Sequence, residues 1–377
     1  MSDVARSRPA DGPSACDGCL RRSWLIARLA GHIELAWSAR RGNAALLSLS
    51  DFELIAALGG DRRDALAAEY ERFASTGLRR RCVASRVTAL CRCDVRYPEA
   101  VAELSDPPAV LYVHGDCARF LHATATDRVA IVGARRASEY GLQQARGLGR
   151  GLAAAGLAVV SGMALGVDAA AHVGALEAEG LTVAVLACGP ERAYPASKRR
   201  LHARIAATGA TVSELPPGTA PRRWCFPARN RIIAALAQAT VVVEAGERSG
   251  SLITAGQAAD LGRDVAAVPG LVTAPLAAGT NALIADGAQL VRDACDVLEL
   301  LFGAAALQLL PARPDDRAAD LAPDLRALLA RVGGGCDTVA ALAGPGGALD
   351  AVLAGLAQLE LRGLVRRGPG GRYTVTA

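Results

Sequence analysis

The chain has 377 residues and a formal net charge of +5 at pH 7. Its hydrophobic fraction of 51% and charged fraction of 21% exclude a globally disordered chain, because there is ample apolar material for a core. The length favours two or three domains. The basic residues are all arginine except Lys198, a bias typical of GC-rich coding, so the number of arginines alone indicates little.

No apolar stretch approaches the ~20 residues of a membrane-spanning helix, and the amino-terminal segment holds charges, Pro and Cys in place of an apolar signal core. The sequence therefore predicts a soluble, cytoplasmic protein without a membrane partner. Cys16 and Cys19 form a C-x-x-C pair, and Cys91 and Cys93 form a second close pair. A zinc site needs about four ligands, of which the first pair provides half. We therefore predict no metal and no cofactor, and zinc binding by Cys16 and Cys19 together with other cysteines is the alternative.

The amino-terminal part of the chain is predicted to be helical. After a tail of residues 1–19, apolar residues recur at helical spacing, as in Leu25, Ile26 and Leu29, and Gly59-Gly60 interrupts the pattern. This pattern predicts a small helical domain over residues 20–82.

From residue 129 the pattern changes to short apolar runs that alternate with helix-like segments. The six runs are Val129–Val132, Leu157–Val160, Thr182–Leu186, Thr211–Ser213, Thr240–Val243 and Asp264–Val268. Short, nearly continuous apolar strands that alternate with helices are typical of a parallel sheet covered on both faces. We therefore predict a doubly wound α/β domain over residues 83–302.

The carboxyl-terminal part is predicted to be a separate small domain. A segment rich in Ala, Pro and Asp, residues 303–322, is interpreted as a linker. Residues 323–377 follow as three helical segments and two short strands around a Gly-rich turn, a pattern typical of a winged helix. A helical cap with a β-hairpin and no ligand is the alternative.

The first two strands end in segments suited to phosphate binding. Gly133, Arg135 and Ser138 lie between the first strand and a helix, where backbone N–H groups and the helix dipole favour an anion. Ser161 and Gly162 end the second strand and open a similar turn.

A more specific signal combines an aromatic residue with a basic segment. Phe226, Arg229, Asn230 and Arg231 follow one another before an apolar helix, an arrangement that suits single-stranded nucleic acid. Residues 192–231 contain nine basic residues and one acidic residue, whereas the rest of the chain is slightly acidic. A local excess of this kind favours a polyanionic partner, and an ordinary solvated surface is the alternative.

A third candidate anion site follows the next strand. Ser249, Gly250 and Ser251 combine an N-cap hydroxyl with free amides at the start of a helix. Three such turns at one edge of a sheet would form a row of phosphate sites, more than a mononucleotide needs. We therefore expect an unpaired polynucleotide to bind along this edge.

These motifs together resemble the DNA-processing protein A family (DprA/Smf). The resemblance covers about residues 83–302 and rests on seven ordered blocks: VGARRASEYG, SGMALGVDAAAH, VLACGPERAYP, FPARNRIIAAL, EAGERSGSLITA, GRDVAAVPG and GTNALIADGA. It implies an extended Rossmann-like domain with a SAM-like helical domain before it and a winged helix after it. It also implies a non-catalytic protein that binds single-stranded DNA without sequence preference, protects incoming DNA in natural transformation and helps to load the RecA recombinase. A homodimer through the Rossmann-like domain is part of the same expectation.

The resemblance assigns the DNA contacts block by block. The expected contacts are Gly133, Arg135, Ser138, Ser161, Gly162, Phe226, Arg229, Asn230, Arg231, Ser249, Gly250 and Ser251. In this interpretation the arginines and amides bind phosphates, and Phe226 stacks on a base.

Two other classes compete with this interpretation. Nucleotide phosphoribohydrolases share a related fold, but their PGGxGTxxE-type turn is matched only superficially, in the terminal domain, and no nucleophile and base are evident in the α/β blocks. A dinucleotide-binding regulator would need G-x-G-x-x-G after the first strand, where this chain has Gly-Ala-Arg-Arg-Ala-Ser. We therefore predict that the protein is not an enzyme.

Overall fold

A computed structural model describes residues 15–39, 44–303, 321–333, 338–343, 349–368 and 371–375. The chain divides into two compact units, Met1–Leu307 and Gln308–Ala377. Most of the predicted tail (1–19) and of the predicted linker (303–322) lies outside the described residues. The boundary at residue 82 stays a prediction, because the amino-terminal helices and the sheet belong to one unit.

The first unit is built on a nine-stranded sheet. The strands in chain order are β1 (Val87–Cys91), β2 (Val110–Gly115), β3 (Arg128–Val132), β4 (Ala158–Ser161), β5 (Thr182–Val185), β6 (Ala210–Ser213), β7 (Ala239–Val242), β8 (Asp264–Ala267) and β9 (Gln289–Leu290). Their order across the sheet is β1-β2-β6-β5-β4-β3-β7-β8-β9. In this spatial order the last seven strands, β6-β5-β4-β3-β7-β8-β9, are parallel to one another. Strands β1 and β2 extend the sheet beyond β6 with antiparallel pairing.

The predicted parallel α/β sheet is confirmed, since each of the six apolar runs corresponds to one of the strands β3 to β8. Strands β1, β2 and β9 were not predicted from the sequence. The first two lie before the region of regular alternation, and β9 has only two exposed residues and so carries no apolar pattern.

Helices cover the sheet and complete its core. They are α5 (Glu99–Ala102), α6 (Cys117–Ala125), α7 (Glu139–Ala154), α8 (Val167–Glu177), α9 (Arg199–Thr208), α10 (Cys225–Leu236), α11 (Gly250–Asp260), α12 (Ala278–Ala285) and α13 (Ala294–Phe302). Small and branched side chains from β3 to β7 are fully buried against α6 and α10, as Ala130, Val160, Val183, Phe120 and Ile232 illustrate. The core therefore consists largely of Ala and Val side chains.

The amino-terminal region is helical, as predicted. Its α-helices, numbered before those of the sheet, are α1 (Asp17–Ala39), α2 (Asp51–Leu58), α3 (Arg63–Glu71) and α4 (Thr76–Ala84). Ser50 and Glu53 form a reciprocal capping box that fixes the start of α2. Leu25, Leu29 and Ile33 of α1 share an apolar cluster with Trp224, just before α10. Helix α1 thereby braces a segment of the candidate site.

The second unit contains three helices and a hairpin. The helices are α14 (Pro323–Gly333), α15 (Val339–Ala343) and α16 (Leu349–Leu361), and the antiparallel strands are β10 (Val365–Arg367) and β11 (Tyr373–Val375). Leu325, Leu342, Leu356 and Tyr373 are buried together in its core. The predicted order of elements is present, and the winged-helix interpretation stays a prediction. Among the described residues of the chain, no helix is long and apolar enough to span a membrane.

Candidate nucleic-acid interface

The main groove of the first unit lies at the carboxyl ends of β3 and β7. In the spatial order of the parallel strands, chain order reverses between these two neighbours, and such switch points are the usual ligand sites of doubly wound sheets. The groove has a volume of about 530 Å³. Its lining residues are Trp37, Val132, Gly133, Arg135, Ala164, Asp168, Arg223, Phe226, Pro227, Arg229, Asn230, Ile233, Ser249, Gly250, Ser251, Ile253 and Thr254.

Most of the predicted contact residues converge here. Eight of the twelve line the groove: Gly133, Arg135, Phe226, Arg229, Asn230, Ser249, Gly250 and Ser251. Gly162 lines a smaller adjoining cavity of about 100 Å³. Ser138, Ser161 and Arg231 line neither cavity.

The first predicted phosphate site, at the start of α7, holds a carboxylate of the protein itself. The backbone N–H of Ser138 donates to Glu244 Oε2 at 2.8 Å, and the Ser138 hydroxyl donates to Glu244 Oε1. Ser138 also caps α7 by accepting from the N–H of Gly141. The buried Glu244 side chain satisfies these donors in the structure, so the phosphate contact of Ser138 stays a prediction that this arrangement does not support.

The second predicted phosphate site is occupied in the same way. The carboxylate of Asp168 accepts from the backbone N–H of Gly162 at 3.2 Å and of Ala164 at 3.3 Å. Ser161 is fully buried and donates to the carbonyl of Ile131 at 2.6 Å. Ser161 therefore holds two neighbouring strands together, and its contact with DNA stays a prediction that the burial of its side chain does not support.

The third site, at the start of α11, contains no carboxylate among its hydrogen-bond partners in the described part of the chain. Ser249 caps the helix by accepting from the N–H of Ser251 at 3.4 Å, and the two hydroxyls lie 2.7 Å apart. Gly250 is exposed, and Asn230 donates to its carbonyl at 3.3 Å. This helix start therefore presents amides and hydroxyls to the groove and can receive an anion.

Phe226 forms the aromatic part of the groove. Its ring is half-buried, with the guanidinium of Arg135 4.8 Å from the ring centroid and the ring of Tyr194 5.7 Å away in a tilted arrangement. The exposed Arg135 side chain lies at the opening of both cavities. An aromatic ring beside a solvent-accessible arginine can stack on a base and bind the adjoining phosphate.

Arg229 lies beneath Phe226 and is only 6% exposed. Its guanidinium donates to the carbonyl of Gly162 and, at 2.6 Å, to that of Val185, and it lies 3.9 Å from the carboxylate of Asp168. Burial raises the pKa of Asp168 and lowers the pKa of Arg229, and the attraction between the two opposes both shifts. Arg229 therefore connects the ends of β4 and β5 and supports the ring above it.

Arg231 is a structural ion-pair residue. It is 7% exposed, and its guanidinium donates to Asp106 at 2.9 Å and to Glu214 at 2.8 Å. Burial opposes its charge, but the two carboxylates overcome that effect and raise the pKa of Arg231. Both acids and the protein interior already occupy the donors of Arg231, so the structure lends no support to Arg231 as a DNA contact, and that assignment stays a prediction.

The other basic residues of the 192–231 segment lie at the surface. Six of them are exposed and Lys198 is half-buried. Arg229 and Arg231 are therefore the two buried basic residues of this segment. Arg223 is exposed and lines the groove, although it was not predicted as a contact and is only one of the nine basic residues of the segment. Trp37 and Tyr194 were also missed as lining residues. Tyr194 could have been found from its place beside proline in a matched block, whereas Trp37 reaches the groove only through the packing of α1.

His172 is fully buried in the interior of the first unit. Its Nδ1 lies 2.7 Å from the hydroxyl of Thr182, which itself donates to the carbonyl of Val159, so Nδ1 carries the proton. Burial, with a smaller contribution from the charge of Arg229, lowers the pKa of His172 to about 3. The observed polar contacts of Asp168 and His172 are thus with neighbouring backbone and side-chain groups of the protein interior.

The fold and the groove define a Rossmann-type protein with a basic, aromatic groove at the switch point of its sheet. Comparisons with known proteins agree with this class. The family model of DNA recombination-mediator protein A matches residues 88–302. A DNA processing protein DprA from Mycobacterium tuberculosis is 45% identical over 259 residues, which cover 68% of this chain and 66% of that protein.

Two solved structures are similar to this one over much of the chain. DNA processing protein A from Streptococcus pneumoniae superposes with a TM-score of 0.60 at 32% identity, covering 74% of this chain and 95% of that one. DNA processing protein A from Helicobacter pylori has a TM-score of 0.51 at 30% identity, and the match covers 60% of this chain and 98% of that one. Its structure is described as giving insight into a single-stranded DNA binding mode.

The chain belongs to the DNA recombination-mediator protein A family. The resemblance stated from the seven blocks is therefore confirmed. Members of this family are recombination mediators and not enzymes, so family membership also supports the expectation that this chain is not an enzyme.

Proposed function

We propose that the protein binds single-stranded DNA in the groove at the ends of β3 and β7 and acts as a mediator of DNA recombination. Binding is through the sugar-phosphate backbone and through stacking, so it does not depend on base sequence.

One observation carries this proposal: exposed cations, an aromatic ring and an open helix start share one groove. Arg135 and Arg223 supply cations, Phe226 supplies the ring, and Gly250 marks the start of α11. This combination suits an unpaired strand, in which phosphates and base faces are both accessible. The single-stranded DNA binding named for the Helicobacter pylori relative supports the same class of ligand.

The roles of the groove residues follow from their environment. Arg135 and Arg223 contact phosphates, because they are exposed and line the groove. The amide of Gly250 and the hydroxyls of Ser249 and Ser251 bind a third phosphate. Phe226 stacks on a base, and the buried Arg229 positions that ring from below.

The wider role is proposed from the family resemblance. We infer that the protein protects incoming DNA, helps to load RecA in natural transformation or homologous recombination, and acts in the cytoplasm. We also infer a homodimer through the Rossmann-like domain, whose exposed Leu271 and Val272 offer an apolar contact surface.

The molar mass from light scattering, compared between the wild-type chain and Leu271→Asp, tests the homodimer. The rate of RecA filament assembly on single-stranded DNA coated with the protein tests the loading of RecA.

A salt titration tests the central proposal. Affinities for a single-stranded oligonucleotide of mixed sequence and for its duplex are measured over a range of salt concentrations. Tighter binding of the single strand is expected, with a log–log slope of about −0.7 for each phosphate bound. Equal or tighter binding of the duplex contradicts the proposal. Release of free base from nucleoside monophosphates, lost in a groove variant, would favour the phosphoribohydrolase alternative.

A further inference from the structure

Four cysteine side chains converge at one edge of the first unit, away from the groove residues described above. Cys16 precedes α1 and Cys19 lies in its first turn, whereas Cys91 ends β1 and Cys93 lies in the turn that follows. More than seventy residues separate the two pairs along the chain. Their four Sγ atoms nevertheless lie within 4.8 Å of one another.

The distances between these sulfurs fit a single tetrahedral metal ion. The Sγ of Cys93 is 3.8 Å from that of Cys19 and 4.0 Å from that of Cys16. A zinc ion with Zn–S bonds of about 2.3 Å separates its thiolates by about 3.8 Å, the edge of the tetrahedron. A disulfide would place two sulfurs about 2.05 Å apart, and all four cysteines are outside disulfides. A polynuclear iron–sulfur cluster, with thiolates on different iron atoms, needs a wider ring of sulfurs.

The local backbone holds the ligands in this arrangement. The C-x-x-C spacing at the start of a helix brings Cys16 and Cys19 to one side of its first turn. The Cys91 carbonyl accepts from the N–H of Asp94 at 2.8 Å, which closes a tight turn around Cys93. The N–H of Cys16 points at Cys91 Sγ from 3.4 Å, the kind of outer contact that stabilises a metal-bound thiolate.

A second set of contacts fixes the segment that carries Cys16. The guanidinium of Arg79 on α4 donates to the carbonyl of Ala15 and to the carboxylate of Asp17, both at 2.8 Å. The Ser75 hydroxyl donates to the same carboxylate at 2.7 Å. The first turn of α1 is therefore held in place by groups other than the sulfurs.

We propose that Cys16, Cys19, Cys91 and Cys93 bind one Zn²⁺ ion as a structural tetrathiolate site. Four protein ligands leave no open position for a substrate, which is typical of structural zinc. Cys19 and Cys91 are 6% and 2% exposed and share an apolar cluster with Leu20, Leu78 and Val87. Binding converts four thiols to thiolates and releases four protons to solvent, with no change in oxidation state. The sequence-based expectation of no metal is thereby revised, since only the fold brings the second pair to the first.

The zinc site connects the start of α1 to the end of β1. Farther along α1, the carbonyl of Ala30 accepts from the indole of Trp224 at 3.1 Å, and Glu34 accepts from the N–H of Trp224 at 3.2 Å and of Arg223 at 3.3 Å. The metal thus anchors the helix that braces the segment before α10. Its main effect is on stability, and the metal site stands whether or not the groove binds DNA.

Metal analysis of the full chain tests the assignment directly. The chain is purified under reducing conditions without a histidine tag, and its metals are quantified by mass spectrometry. About one zinc per chain is expected, together with the visible absorption of tetrahedral cobalt thiolate after exchange with Co²⁺. A chain that contains no zinc and takes up neither Zn²⁺ nor Co²⁺ overturns the proposal, as does stoichiometric iron or a disulfide within the cluster.

Single substitutions assign the ligands. Cys93→Ser changes the exposed ligand, and Cys117→Ser is the matched control, since Cys117 is half-buried and lies outside the cluster. We expect Cys93→Ser to lose zinc and Cys117→Ser to keep it. A chelator should lower the Tm of the wild type and of Cys117→Ser, and added Zn²⁺ should restore it, with no response in Cys93→Ser. An equal response in Cys93→Ser contradicts the ligand assignment, and if that variant fails to fold, the wild-type metal content decides.

Discussion

Helices α7 and α11 start in the same way but differ in what occupies their amino termini. Both follow neighbouring parallel strands, β3 and β7, and both are capped by a serine, Ser138 or Ser249. The α7 terminus is filled by the carboxylate of Glu244, whereas the α11 terminus faces the groove. A helix start can therefore bind an external anion only when the fold does not supply an internal one.

The arginines of the site differ in the same respect: some bind internal groups of the protein, and others are exposed at the groove. Arg231 binds two internal carboxylates and Arg229 binds carbonyls and Asp168, whereas Arg135 is exposed at the groove. The internally paired groups stabilise the site, and the exposed groups at the groove are the candidates for DNA binding. Four predictions test this division.

The largest effect is expected for the internal group Arg231. Arg231→Ala leaves the carboxylates of Asp106 and Glu214 buried without their cation, which should lower the free energy of unfolding by about 3 to 5 kcal/mol. Urea denaturation measures this loss. The fraction that stays folded should bind single-stranded DNA with an unchanged salt slope. A salt slope reduced by the amount of one phosphate contact, together with wild-type stability, would show instead that Arg231 binds DNA.

The second-largest effect is expected when the aromatic ring of Phe226 is removed from the groove. Phe226→Ala should weaken binding of single-stranded DNA by roughly 1 to 3 kcal/mol, because a stacked base loses its platform. The salt slope should stay the same, since no charge is removed. Phe226→Tyr keeps the ring and is the matched control. Fluorescence anisotropy at several salt concentrations separates the two quantities, and wild-type affinity of the alanine variant would argue against stacking.

The fold could be predicted from the sequence because its signals are local. Each of the strands β3 to β8 is a short apolar run bounded by turns, and Gly133 and Gly162 mark the strand ends that approach other groups closely. Strand β9 was missed because two exposed residues contain no such signal. Periodicity therefore identified the architecture of the sheet and the edge at which the groove lies.

The sequence could not show which groups of the site already have internal partners, because this depends on contacts between residues that are distant along the chain. Glu244 reaches Ser138 across 106 residues, and Asp106 reaches Arg231 across 125. The same limit applies to the cysteines, where each pair is visible in the sequence but their meeting is not. Residue types and spacing identify groups that can bind an anion or a metal, and only the tertiary structure shows which of them are already satisfied.

A third prediction converts the α11 terminus into a copy of the α7 terminus. Gly250→Glu places a carboxylate at the open helix start, where an added Cβ meets no atom within 4 Å. Single-stranded DNA should bind about tenfold more weakly, an energy of about 1.4 kcal/mol, because the new carboxylate competes with phosphate. Gly250→Gln has nearly the same shape without the charge and should bind almost normally. Equal affinities of the two variants would remove this terminus from the interface.

The smallest effect is expected for a single exposed arginine. Arg135→Ala removes one phosphate contact, so the log–log salt slope for single-stranded DNA should become shallower by about 0.7, equally for oligonucleotides of different sequence. Stability should change little, because the side chain is exposed. Arg119→Ala on α6 is the control, since Arg119 is also exposed but is absent from the groove lining. If both alanine variants shift the slope equally, binding reflects the overall charge of the chain and not the groove. A shift confined to Arg135 assigns a phosphate to the carboxyl end of β3, beside the helix terminus that Glu244 already fills.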